Sequence, residues 1–404
     1  MRSKLVFPLV GLLLLACIGF YGASDGKTPT TTSAATEGTR TADAPDEPSA
    51  RKTAQTAAAE PNWPRSPVGF IKGYSWGYNS GPGDYQTQAA EQSMAALADT
   101  GTQWITLAYM AHMPAWNKPE ILWGERDPDM VTDADIRRAI ALARSHGLKV
   151  ILKPMVDMSP KAKPVKFRHE INFKTPGPDG NARDDEAAWK AWWSNYQAYL
   201  LHHASLAAEA NCEMLCVGCE LKSTERFEAQ WREVIRKSRE VYKGPLVYNM
   251  MMDGTMWEIR WWDAVDVLGL SAYSWRPEAN DTSVAAQVAY WSKWRDGLRT
   301  LSLKTKRPIF FIETGCRSAR GASRMSGDFT HWEWPYDGEE QARFYEAALQ
   351  VFWDEPWFCG YSWWDWKVKL YKKEDAGRNL EFYIYGKPAE AVLRAWYAKE
   401  RKPK

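Results

Sequence analysis

From Val68 onward the chain alternates, without a break, between short apolar runs bounded by turn residues and longer stretches with helical spacing. The runs are VGFIKGY (68–74), WITLAYM (104–110), LKVILKPM (148–155), EMLCVGCE (213–220), PLVYNM (245–250), DVLGLSAY (266–273), PIFFIE (308–313) and WFCGYSWW (357–364). Each is continuously apolar, the pattern of a strand covered on both faces, and such strands belong to parallel sheets whose return connections are helices. Helical segments are read over about 85–98, 133–146 behind Thr132 as N-cap and ahead of Gly147, 184–210, 227–242, a short one through Trp261 and Trp262, 284–301, 339–353 and 388–399. Eight strands and eight helices in strict alternation predict an α/β protein, a (β/α)8 TIM barrel, with its site at the C-terminal ends of the strands. An open doubly wound sheet would want a phosphate-cradling glycine loop after its first strand. GYSWGYNSGPG (73–83) lacks the G-x-G-x-x-G spacing.

Two of the runs end in glutamate, Glu220 and Glu313. A lone glutamate is most often a surface charge or half of a salt bridge, but two at strand mouths on facing parts of one rim repel unless chemistry needs them. Carboxyls about 5–5.5 Å apart leave no room for a water between them, so one must attack an anomeric carbon directly, which predicts a retaining glycosidase. Glu313 is expected to be the ionised nucleophile. Glu220 is expected to be the acid/base, its pKa raised while Glu313 is charged. Tyr273, at the end of the sixth run, could donate its phenol proton to Glu313 and fix its rotamer, or could simply pack in the barrel wall.

Composition supports a sugar ligand and argues against others. A net charge of +2 with 25% charged residues gives no pull toward nucleic acid. The 23 Trp, 18 Tyr and 13 Phe suit a cleft in which flat sugar faces lie on aromatic rings, or else a large aromatic core.

Residues 1–23 read as an export signal. Arg2 and Lys4 precede an apolar run, Leu5 to Leu15, too short to span a bilayer. Leu14-Leu15-Ala16-Cys17 resembles a lipobox, in which Cys17 would carry lipid and tie the exported protein to a membrane face; a plain signal peptide cut near Gly22-Ala23 is the alternative. Residues 24–60, rich in Thr, Ala, Ser and Pro and free of aromatics, read as a disordered linker. Residues 61–404 form the catalytic domain. Cys212, Cys216, Cys219, Cys316 and Cys359 lie beyond the linker; an odd number leaves at least one free thiol, with one unassigned disulfide allowed. His112, His146, His169, His202, His203 and His331 have no metal-ligand spacing, so no metal and no cofactor is expected.

The stretch CVGCELKSTERFEAQWREVIRKSREVYKGPLVYNM (216–250), with VLGLSAYSW (267–275), PIFFIETGCRS (308–318), GYSWWDW (360–366) and GKPAEAVLRAWY (386–397), resembles glycoside hydrolase family 113, a β-mannanase-type family of retaining TIM barrels. The resemblance spans most of residues 68–399 and implies cleavage of β-1,4-mannan-type chains. It implies that Glu220 is the acid/base, Glu313 the nucleophile, Tyr273 the partner of the nucleophile, and Trp363 the floor under the reacting sugar. One departure is Cys219, where many relatives of the clan carry an Asn that bonds the sugar 2-hydroxyl.

Further contacts expected at the mouth are Trp76 and Tyr78 after the first run, Lys153 in the third, Asn249 in the fifth and Asp365 beyond the eighth. The basic cluster Lys161, Lys163, Lys166, Arg168 and His169 after the third run reads as a solvated loop. The expected partner is a polysaccharide or oligosaccharide, met by a monomer. Hydrolysis of another β-linked glycan, or glycan binding by a non-catalytic surface lipoprotein, are the alternatives.

Overall fold

In the computed structural model, residues 61–403 are described. The leader, the linker and Cys17 lie outside them. Eight parallel strands close into a barrel: β1 (Ile71–Trp76), β2 (Trp104–Met113), β3 (Lys149–Met158), β4 (Met214–Cys219), β5 (Leu246–Met251), β6 (Val267–Ser271), β7 (Ile309–Thr314) and β8 (Phe358–Trp366). Each strand pairs with its sequence neighbours, and β8 closes against β1 with Ile71 opposite Gly360. The seam depends on that glycine. Its φ is 126°, and a Cβ there would lie 2.2 Å from the carbonyl oxygen of Ile71.

Alternation along the strands fills the interior in layers. Ile71, Trp104, Ile151, Met214, Val247, Val267, Phe310 and Cys359 form a fully apolar layer within the barrel. Nearer the C-terminal ends come polar side chains, among them Lys153 and Asn249, both without solvent exposure, and a second apolar group, Ala108, Met155 and Cys219, touching Tyr78 and Trp364.

Among the described residues seven α-helices surround the strands: α1 (Gln88–Ala98), α2 (Asp133–Ser145), α3 (Glu186–Glu209), α4 (Glu228–Val241), α5 (Val284–Thr305), α6 (Gly338–Phe352) and α7 (Pro388–Tyr397). The starts of α1, α2, α3, α5 and α6 are capped by side chains that satisfy free backbone N–H groups. Thr132 accepts from the Asp135 N–H while Asp135 accepts from the Thr132 N–H, a capping box, and Asp185, Ser283 and Asp337 cap α3, α5 and α6. The expected helix between β5 and β6 is replaced by two 3₁₀ turns, Gly254–Trp257 and Trp262–Ala264. The connection is short, and two large indoles fill the space instead. Trp261 donates to the carbonyl of Glu225 and Trp262 to that of Met256.

The tryptophan load goes mainly to this outer packing layer rather than to a cleft. Nine tryptophans, Trp76, Trp192, Trp231, Trp261, Trp291, Trp353, Trp357, Trp363 and Trp366, are fully buried. Trp193 of α3 meets Trp231 of α4 edge-on, and Trp231 meets Tyr248 of β5 edge-on and stacks on Trp261, joining α3 and α4 to the wall. The five cysteines are all buried and free, so the allowed disulfide is absent among the described residues.

Two long connections rise from the C-terminal rim. The one after β3 carries a short antiparallel hairpin, Lys174–Pro176 with Ala182–Asp184. It meets the connection after β7 where Phe167 packs edge-on against Phe329, ring centres 5.9 Å apart.

Candidate active site

Both glutamates are aimed by local irregularities in the ladder. Cys219 faces the barrel interior, so a regular continuation of β4 would turn Glu220 toward the helices. The left-handed φ of 52° at Glu220 breaks that alternation, just after an extra residue in β4 against β5, where Cys216 pairs with Val247 but Cys219 with Asn249. Such a backbone costs about 1 kcal/mol or more for a non-glycine residue and persists where its surroundings hold it. Here the Glu220 N–H donates to the carbonyl of Asn249 at 2.6 Å. β7 uses the same device. Gly269 pairs with Phe310 but Ser271 with Glu313, and Tyr361 with Phe311 but Trp363 with Thr314, so one extra residue in β7 turns Glu313 inward.

Glu313, 5% exposed, is held at both oxygens. Tyr273 donates to Oε1 at 3.0 Å and Lys153 to Oε2 at 2.6 Å. Burial, followed by the nearby charges of Glu313 and Glu220, holds the Tyr273 phenol far above its ordinary pKa, so it remains a donor. Lys153 is fully enclosed, and burial opposes its charge. Neighbouring acidic groups, Cys219 and then Glu313, more than compensate and raise its pKa. Burial pushes the Cys219 thiol well up.

Glu220 has a different partner. Arg168, from the connection after β3, donates through Nη2 to Glu220 Oε2 at 2.7 Å. The same guanidinium donates through Nη1 to Asp157, and the Arg168 N–H reaches Asp157 Oδ1 at 3.1 Å. Burial alone would raise the pKa of Glu220. The charge of Arg168, helped by the Ser271 hydroxyl, Lys153 and His169, overcomes that and lowers it. This corrects the expectation of a raised value, which counted the repulsion of Glu313 but not a cation from a loop. It also corrects the reading of the basic cluster as a solvated loop, since Arg168 has a side chain only 12% exposed.

The remaining expected contacts divide by face. Tyr78 lies at the mouth, its ring 4.4 Å from that of Trp364, and Trp364 in turn lies under the Lys153 ammonium. Trp363 points the other way, fully buried, stacked 4.0 Å from Tyr345 of α6 and donating to Tyr397 of α7. It therefore faces the helices and not the mouth, against the expectation, and the neighbouring Trp364 is the one that faces the mouth, beside Tyr78. Trp76 is likewise outside the barrel, packed on Tyr85 and donating to Ser93 of α1. Asn249 is a buried brace rather than a surface contact: it donates to Ser271 Oγ at 2.9 Å and accepts from Cys219. Asp365 is 1% exposed and binds Lys367 through Oδ2 at 2.7 Å. Among the described residues no group of three or more His, Cys, Asp or Glu is placed to hold a metal ion.

The arrangement offers a carboxylate with two fixed donors and a second carboxylate that shares Lys153 and Tyr273 with it as neighbours. That set suits attack on an electrophilic carbon with proton transfer to a departing oxygen. Comparison with known proteins agrees. The chain matches Glycoside Hydrolase Family 113 over residues 74–387. A GH113 β-mannanase from Alicyclobacillus acidocaldarius, solved in complex with ManMIm, is 36% identical with a TM-score of 0.72, the match covering 82% of this chain and 98% of that one. A GH113 β-1,4-mannanase is 30% identical with a TM-score of 0.72, covering 82% of this chain and 100% of that one. The β-glucuronidase of Faecalibacterium prausnitzii, 13% identical with a TM-score of 0.52 over 82% of this chain and 49% of its own, shares the barrel fold. No curated protein matches the chain.

Proposed function

We propose that this chain, which belongs to glycoside hydrolase family 113 and is a glycoside hydrolase, cleaves β-1,4-linked mannan-type chains with retention of anomeric configuration. The observation that carries the reading is Glu313 held at both oxygens, by Tyr273 and Lys153, opposite a second strand-end carboxylate. Donors at each oxygen fix its direction, as a nucleophile requires. In the first step Glu313 bonds to the anomeric carbon as the bond from that carbon to the leaving oxygen breaks. The electron pair goes to that oxygen, which takes a proton from Glu220. In the second step Glu220 takes a proton from water, and the resulting hydroxyl displaces Glu313 from the sugar carbon. Trp364 and Tyr78 supply the aromatic surface at the mouth.

Specificity for mannan is supported by the two relatives, a β-mannanase and a β-1,4-mannanase. The test is hydrolysis of β-1,4-mannan followed by detection of the anomer released first. Glu313→Gln and Glu220→Gln should each lower turnover by about a thousandfold or more, with azide restoring only the Glu220 variant. Turnover near the parent rate in either variant overturns the assignment. We also carry forward export through residues 1–23, a lipid on Cys17, and action as a monomer. Mass analysis of the mature N-terminus and the sedimentation of the purified chain test these.

A further inference from the structure

Arg168 brings its charge to the mouth from a connection and not from a strand or a strand end. Its side chain is 12% exposed, its Nη2 bonds Glu220, its Nη1 bonds Asp157, and its Nε is buried without a partner. A buried guanidinium left short of one bond is in a tolerable arrangement, not its best one. The segment bearing it is tied to β3 through Asp157, to the facing connection through Phe167 against Phe329, and to the connection after β2 through the Asn172 N–H, which donates to the Trp116 carbonyl. Glu220 is faced by Arg168 and His169 from this connection, Lys153 from β3, Cys219 from β4, Glu225 beyond it, Ser271 from β6 and Tyr273 just beyond β6. Of these, Arg168 alone forms an ion pair with it, and Glu220 must nonetheless carry a proton to a leaving oxygen. A sugar entering beside Glu220 removes water, which strengthens the ion pair and makes that proton harder to hold unless the pair opens.

We infer that Arg168 is a positioning residue that aims Glu220 before sugar binds and gives up its bond to Oε2 when a sugar occupies the leaving-group side, so that the connection after β3 decides when Glu220 can carry a proton. The inference rests on the proposed role of Glu220. The lowered pKa of Glu220 agrees with it, since the anion is the form that Arg168 binds.

The experiment is the pH dependence of kcat/KM and of kcat on a soluble β-1,4-manno-oligosaccharide, for the parent, Arg168→Met and Arg168→Lys. The first profile reports Glu220 before sugar binds and the second reports it in the complex. In the parent the alkaline limb of kcat/KM should fall at lower pH than that of kcat. Arg168→Met should move the kcat/KM limb upward by half a pH unit or more and leave the kcat limb in place, and Arg168→Lys should lie between. On an aryl β-mannobioside whose leaving group needs no proton, the limb set by Glu220 should vanish for all three. Coincident limbs in the parent, or an unmoved kcat/KM limb in a Arg168→Met protein that melts like the parent, overturn the inference. If Glu220→Gln retains full turnover, the role of Glu220 is what fails, and the two failures are thereby told apart.

Discussion

Glu313 and Glu220 stand on one rim but are held by different kinds of structure. The partners of Glu313, Lys153 and Tyr273, belong to the barrel itself, one within β3 and the other just beyond β6. The partner of Glu220 is Arg168, ten residues of chain beyond the end of β3, tied to that strand through Asp157 and to the facing connection through an aromatic contact. Strand-borne groups are fixed by the ladder and by close-packed neighbours, whereas a connection has fewer restraints and opens at lower free energy. In the proposed mechanism Glu313 needs one geometry throughout, and Glu220 must change protonation twice per turnover. The rim thus matches the rigidity of each partner to the work of each carboxylate.

The comparison breaks most sharply at Lys153. Lys153→Met keeps much of the volume but leaves the buried Oε2 of Glu313 facing no cation. Removing one member of a buried pair costs about 3–5 kcal/mol, so kcat/KM should fall by about a hundredfold or more, and the urea midpoint should drop with it. A variant with parent kinetics would mean that Tyr273 alone fixes Glu313. Tyr273→Phe is the gentler cut on the same side. It deletes one hydrogen bond to a charged group, worth about 1.5–3 kcal/mol, and predicts a loss of about ten- to a hundredfold in kcat on β-1,4-mannan with little change in folding stability.

The strand-borne half of the site was legible in the sequence, and the loop-borne half was not. Glu220, Glu313, Tyr273 and Lys153 each end or lie within an apolar run, where a polar residue is conspicuous because the run has to be buried on both faces. Arg168 lies among Lys161, Lys163, Lys166 and His169, where nothing local distinguishes the one cation that turns inward. Trp363 and Trp364 show a second limit. Side chains alternate along a strand, so a choice between adjacent tryptophans is a choice of face, and the extra residue in β7 opposite them cannot be read from spacing. The missing helix between β5 and β6 has a similar cause: Trp261 and Trp262 suggest an apolar helical face, but their indoles bond backbone carbonyls of 3₁₀ and loop segments.

A smaller change sharpens the loop side. Asp157→Asn preserves an acceptor for the Arg168 N–H but removes the charge that shares the guanidinium. Arg168 should then settle more fully on Glu220, lowering kcat/KM at neutral pH by a few-fold while leaving the Lys153 and Tyr273 contacts intact, because Asp157 touches neither. Unchanged kinetics would show that Asp157 only tethers the backbone.

The smallest expected effect is on stability rather than on turnover, and it isolates the Arg168–Glu220 pair. The pKa of Glu220 in the folded protein is lowered, chiefly by Arg168 acting against the burial that would raise it, while in the unfolded chain it returns to its ordinary value near 4.5. A depressed folded pKa contributes stability that is fully present above the unfolded value and is lost as pH falls through the folded one. Urea midpoints measured from pH 6 down to pH 3 should therefore fall more steeply for the parent than for Glu220→Gln, whose amide does not titrate. All other carboxylates are common to both proteins, so the difference between the two curves belongs to Glu220. The Arg168→Met protein should show the shallower fall as well, because without the guanidinium the burial of Glu220 is no longer outweighed. Parallel curves for all three would mean that the ion pair on the acid/base side contributes nothing in solution, and the contrast between the two carboxylates would reduce to one of distance from the strands alone.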